Sequence, residues 1–145
     1  MNSVVCKTVF LGCLMFSLNA CAEAQSPTST ALSQVSLGGQ ALKLVDAQGK
    51  CTILKPDNTQ VSMNLAWPCQ FSQGRDGLSR VEMFKSVPVA LVVHNQADSA
   101  SSTDCLQTAQ AIRLRQGVLE TSSVNQAAMC TPDHDQKMFT AMFRW

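Results

Sequence analysis

The sequence predicts a small α+β domain: a mostly antiparallel β-sheet with a short carboxy-terminal helix, held by two disulfides. Three observations carry that expectation. Apolar residues alternate with polar ones between turn-forming residues through the first half, four cysteines fall in the part that would fold, and an apolar stripe at helical spacing lies near the end.

The chain opens with a weakly basic start, Lys7 its only charge, and an apolar run from Val9 to Leu18. That run is shorter than the about 20 apolar residues a membrane span requires, and it has the length of a signal-peptide core. Two cleavage points compete. Ala22-Glu23-Ala24 has the small-x-small form that places cleavage before Gln25. Leu18-Asn19-Ala20-Cys21 resembles the lipobox of bacterial lipoproteins, and the resemblance covers the leader alone. It implies cleavage before Cys21 and acylation of that cysteine, giving a palmitate-bearing anchor worth about 0.8 kcal/mol per buried methylene. It also implies the outer membrane, because Ala22 stands where inner-membrane lipoproteins carry Asp. Cleavage before Gln25 would instead give a soluble periplasmic or secreted factor.

The expected organisation is therefore a signal peptide over 1–20, a flexible tether over 21–40 and one globular domain over 41–145. The tether expectation rests on a stretch rich in Ser, Thr, Gln and Ala that cannot bury enough surface to offset its ordering entropy. A first strand is expected around Leu42, Leu44 and Val45, closed by the turn Asp46-Ala47-Gln48-Gly49. Cys51 to Lys55 and Thr59 to Leu65 form the clearest hairpin, since Pro56-Asp57-Asn58 supplies turn chemistry and Val61, Met63 and Leu65 alternate with polar residues. Trp67-Pro68 ends it, with Trp67 expected to pack on the core and not to stack on a ligand.

Ser72 to Gly77 reads as a turn, followed by strands over Ser79 to Lys85 and Val87 to His94. The second is almost continuously apolar, as a strand covered on both faces would be. Asn95 to Asp104 is expected as a loop. Ala111, Ile112 and Leu114 alternate with Arg113 and Arg115, and Val118 begins another strand after Gln116-Gly117. Cys105 to Ala111 is compatible with helix or strand. Near the end, Thr131 and Pro132 read as N-cap and first helical position, with Asp133 and Asp135 in the first turn. Met138, Phe139, Met142 and Phe143 then fall on one stripe. The ending Phe143-Arg144-Trp145 resembles the terminal aromatic signature of outer-membrane barrels, but the domain is too short for one, and Trp145 is expected to close the core instead.

Of seven cysteines, Cys6 and Cys13 lie in the leader and Cys21 is the lipidation candidate, which leaves Cys51, Cys69, Cys105 and Cys130. An exported chain of this size uses four cysteines as two disulfides. Three connectivities exist. Cys51–Cys69 with Cys105–Cys130 is preferred, because each closes a loop for which chain entropy gives roughly 3 kcal/mol. No pair has C-x-x-C spacing, which argues against redox work and zinc.

Charge is nearly balanced, at +1 for the whole chain, and there is no tyrosine, so nucleic acid is not an expected partner. Asp133-His134-Asp135 is better explained by helix-terminal electrostatics than by metal, and His94 as an edge histidine. Met138 and Met142 are expected as core filling and not as copper ligands. No cofactor is expected, and no phosphate-binding or nucleophile-elbow pattern occurs. The expected function is non-enzymatic binding to a protein partner in the envelope, as an inhibitor, a toxin-immunity protein or an assembly accessory. Two alternatives are a small periplasmic hydrolase using His94 or His134, and an anchored structural protein.

Overall fold

The computed structural model describes residues 31–97 and 104–145. The mostly antiparallel character, the short final helix and both disulfides are as expected, but the strands divide between two sheets. The first is a meander of β1 (Gln34–Leu37), β2 (Gln40–Ala47), β3 (Lys50–Leu54) and β4 (Gln60–Ala66). The second is ordered β5 (Gln70–Phe71), β7 (Val87–Ala97), β8 (Cys105–Arg115) and β9 (Val118–Ala127), with β6 (Val81–Phe84) pairing β7 beside β5. All pairings are antiparallel. The helix α1 (Gln136–Thr140) follows.

Tight turns make this topology. Gly38–Gly39, Gln48–Gly49, Lys85–Ser86 and Gln116–Gly117 each join neighbouring strands through two residues at positive φ, the type I′ pattern whose twist matches that of antiparallel strands. At Gly38 the position also demands space: a Cβ there would lie 2.6 Å from Leu114 Cδ2. The β1–β2 turn is thus pressed against the end of β8.

The main core lies between the sheets. Leu37, Leu42, Leu44, Ile53 and Met63 from the first sheet meet Phe71, Ala90, Val92 and Ile112 from the second, with Trp67 packed at the margin as expected. A second cluster occupies the opposite face of the second sheet, where Val89, Leu91, Val93, Ala109 and Ala111 are covered by Phe139, with Met138, Met142 and Phe143 at its border. The apolar run in β7 therefore is covered on both faces, and the architecture is sheet on sheet on helix.

Disulfides fasten the two changes of layer. Cys51–Cys69 ties β3 to the chain as it passes to the second sheet, and Cys105–Cys130 ties the start of β8 to the segment leading into α1. The Trp67–Pro68 peptide is cis.

Three expectations need correction. Ordered structure begins before residue 41, because Leu32, Val35 and Leu37 supply buried apolar groups that a composition average over 21–40 hides. Asn95–Ala97 extends β7 instead of looping, paired to Cys105–Gln107. The same pairing settles Cys105 to Ala111 as strand. The helix cap is Asp135, whose carboxylate accepts from Lys137 N, and not Thr131; no acidic residue stands in the first turn. Cys21 and the two cleavage points lie outside the described residues.

Lys85 and Ser86 occupy the left-handed region without glycine, at φ 48° and 63°, a conformation that crowds Cβ against the backbone. Ser86→Gly relieves that crowding at the cost of a more flexible unfolded chain. It is expected to raise unfolding stability by about 0.5 kcal/mol, measured as an upward shift in the urea midpoint at unchanged m-value.

Candidate functional site

Of the residues singled out by chemistry, His134 is the one the fold builds around. It follows the second disulfide and precedes α1, and its side chain turns inward to 6% exposure. Nδ1 lies 2.8 Å from Ser72 Oγ and Nε2 lies 2.7 Å from Gln107 Oε1. Gln107 fixes the proton positions. Its amide nitrogen donates to Asn95 Oδ1 and to the Thr131 carbonyl, so Oε1 is the accepting end. Nε2 of His134 therefore carries the proton, and Nδ1 accepts from the Ser72 hydroxyl.

The surroundings are charged only at the rim. Arg80 donates to the His134 carbonyl and pairs with Asp133 and Glu82. Its guanidinium also lies over the Phe139 ring, 5.2 Å from the centroid. Asp133, His134 and Asp135 thus have three separate tasks: ion pair, buried hinge and helix cap. A cleft of about 420 Å³ opens beside them, lined by Arg75, Arg80, Asp133, His134 and Asp135. Among the described residues no group of His, Cys, Asp and Glu is arranged to hold a metal ion.

Ser72–His134–Gln107 has the connectivity of a nucleophilic triad, a hydroxyl donating to an imidazole that is bonded on its far side. The chemistry does not follow from it. Ser72 is 1% exposed, leaving its oxygen no open face for a substrate, and Gln107 is a neutral amide that cannot stabilise an imidazolium as a carboxylate would. What the network does is pin the chain before α1 onto β5 and β8. His94 sits elsewhere, with Nδ1 donating to the Pro68 carbonyl at 2.7 Å. The structure does not bring the two histidines into one site.

A second constellation was not anticipated. Arg113, 6% exposed, pairs with Glu120, donates to the Arg144 carbonyl, and lies over both Phe143 and Trp145, with centroid distances of 4.4 and 4.7 Å. Trp145 therefore does not close the apolar core: at 37% exposure it caps a buried guanidinium. The sequence signal was present in an arginine alternating with core residues along β8, but its aromatic partners lie about 30 residues away in the chain. Alternation cannot pair them.

No helix among the described residues is long and apolar enough to cross a membrane. The two disulfides indicate an oxidising, extracytoplasmic location. No family, curated protein or solved structure matches the chain.

Burial holds the His134 imidazole below its ordinary pKa of 6.5, with Arg80 adding to the effect and Asp133 opposing it. The unfolded chain then binds a proton that the folded chain resists, so stability falls as pH drops below about 6.5 and continues falling until the folded value is passed. Denaturant midpoints between pH 7.5 and 5 are expected to show this decline, and His134→Gln to flatten it. His134→Ala, which strands Gln107 Oε1 and the Ser72 hydroxyl, is expected to cost about 2–3 kcal/mol at pH 7.5.

Proposed function

We propose that this protein is an exported envelope lipoprotein, anchored in the outer membrane through acylated Cys21, whose domain acts by binding a protein partner and not by catalysis. The observation that supports binding over hydrolysis is the burial of His134 with both of its ring nitrogens engaged. His94 donates from Nδ1 to a backbone carbonyl, which leaves Nε2 as its basic nitrogen and makes it the histidine the test must address, whereas His134 is buried with both ring nitrogens bonded to neutral partners. A general base needs a nitrogen within reach of a substrate proton. Two sheets stapled by disulfides instead offer a rigid surface, which lowers the ordering cost of association. The lipobox-like leader supports the anchor, and the oxidising compartment fits both.

The test uses cells whose own copy is replaced. Cys21→Ser, which removes the acylated thiol, is expected to shift the protein from the membrane fraction to the soluble one; a membrane-bound variant would overturn the anchor. His94→Gln is expected to restore fully whatever envelope defect follows deletion, and a defect that only the intact histidine corrects would overturn the binding reading.

A further inference from the structure

We infer that the binding surface is the tip of the second sheet where the β6–β7 and β8–β9 turns meet Trp145, and that it receives an acidic face of a partner protein. The inference deepens the binding reading above and rests on it.

The tip is contiguous. Lys85 Nζ lies 5.6 Å from the Phe84 ring centroid, Phe84 meets Trp145 edge-on at 4.7 Å, and Trp145 lies over Arg113. Arg113 and Arg115 share Glu120, and Arg115 pairs across the ladder with Val118. Val118 is 60% exposed, and Lys85, Arg115 and Arg144 are exposed as well. Glu120 is already engaged by Arg113 and Arg115, and together with the terminal carboxylate of Trp145 it is outnumbered by Lys85, Arg113, Arg115 and Arg144. A chain whose overall charge is near zero thus gathers an excess of cations at one end, beside apolar groups it leaves uncovered. Complementary charge across an interface steers encounter and sets orientation.

Two further features favour a protein over a lipid surface. Trp145 is locked, its indole N–H bonded to the Thr140 carbonyl at 2.8 Å and its ring edge-on to both Phe84 and Phe143. A lipid surface is met by aromatic and apolar side chains that reach the headgroup level, whereas a fixed tryptophan beside guanidinium groups has the composition of an interface hot spot. The Lys85–Ser86 turn holds two side chains at positive φ where glycine would be less strained, and backbone strain of this kind clusters at recognition sites.

The described start of the chain lies away from the tip. The β1–β2 turn reaches it, since Gly38 abuts Leu114 and Pro88, but upstream residues lead away. The Leu32 carbonyl bonds Phe71 N, and Phe71 pairs Val92, roughly 17 Å along β7 from Val87 at the rise of a strand.

The experiment places a photo-cross-linking amino acid at Val118 in the full chain, in the cells that make it, with Lys50 in the first sheet as the comparison position. The expected result is a discrete protein adduct from Val118 whose cross-linked peptide is net acidic. Lys85→Glu with Arg144→Glu is expected to reduce that adduct at least tenfold, and Lys43→Glu to leave it unchanged. Thermal unfolding of the charge-reversed chain confirms that it is folded. Adducts from Lys50 but not Val118 would overturn the tip while leaving the binding reading standing, and no protein adduct from either position would overturn both. A lipid adduct, a basic cross-linked peptide, or an adduct indifferent to charge reversal would each overturn the acidic-partner inference.

Discussion

The structure depends on β7 being buried on both faces. Ala90 and Val92 turn toward the first sheet, and Val89, Leu91 and Val93 toward α1, all at 2% exposure or less. Each buried Val or Leu contributes about 2 kcal/mol, so neither face can be left to solvent cheaply. One face is covered by a four-stranded meander. The other is covered by a helix of five residues, far too short to be stable by itself. Its position must be imposed, and three devices impose it: the Cys105–Cys130 disulfide, the His134 hydrogen bonds and the Arg113 contacts with the last residues. The polar network that resembles a catalytic triad is thus explained by the apolar face it keeps covered.

Polar groups also join the two sheets. In the β3–β4 pair one residue, Cys51, stands opposite Met63, Asn64 and Leu65, and in the β8–β9 pair Ala111 stands opposite Ser122 and Ser123. Bulges release backbone groups from the ladder. Gln110, 1% exposed, serves both: its carbonyl accepts from Asn64 N and its amide donates to the Ser122 carbonyl. The Ser122 hydroxyl accepts from Ala111 N. These bonds meet the requirement that buried polar groups be paired, and among the described residues no buried side-chain polar atom is left without a partner.

The two polar constellations of the second sheet lie apart. The His134 network lies in the segment leading into α1, beside the cleft lined by Arg75, Arg80, Asp133 and Asp135, and the Arg113 stack lies at the tip with Trp145. The Arg113 guanidinium is fixed by two adjoining aromatic rings and by its ion pair with Glu120, and the side chains of Arg115 and Arg144 are exposed. The exposed side of Trp145 is then a consequence of how Arg113 is enclosed.

Local chemistry determined much of the fold. Turn residues and alternation marked β2, β3, β4, β6, β7 and β9, unbroken apolarity in β7 announced two covering layers, and cysteine spacing favoured the pairing that forms. These features act between neighbours in the chain, where period and propensity are readable. Tertiary structure decided the rest. Val35 and Leu37 form a strand because a core awaits them, although their segment is too polar on average to suggest one. Asp135 caps α1 because the disulfide and His134 fix where the chain turns. His134 and Arg113 acquired their roles from Ser72, Gln107, Phe143 and Trp145, which are distant in sequence, and such pairings come into existence only when the layers close.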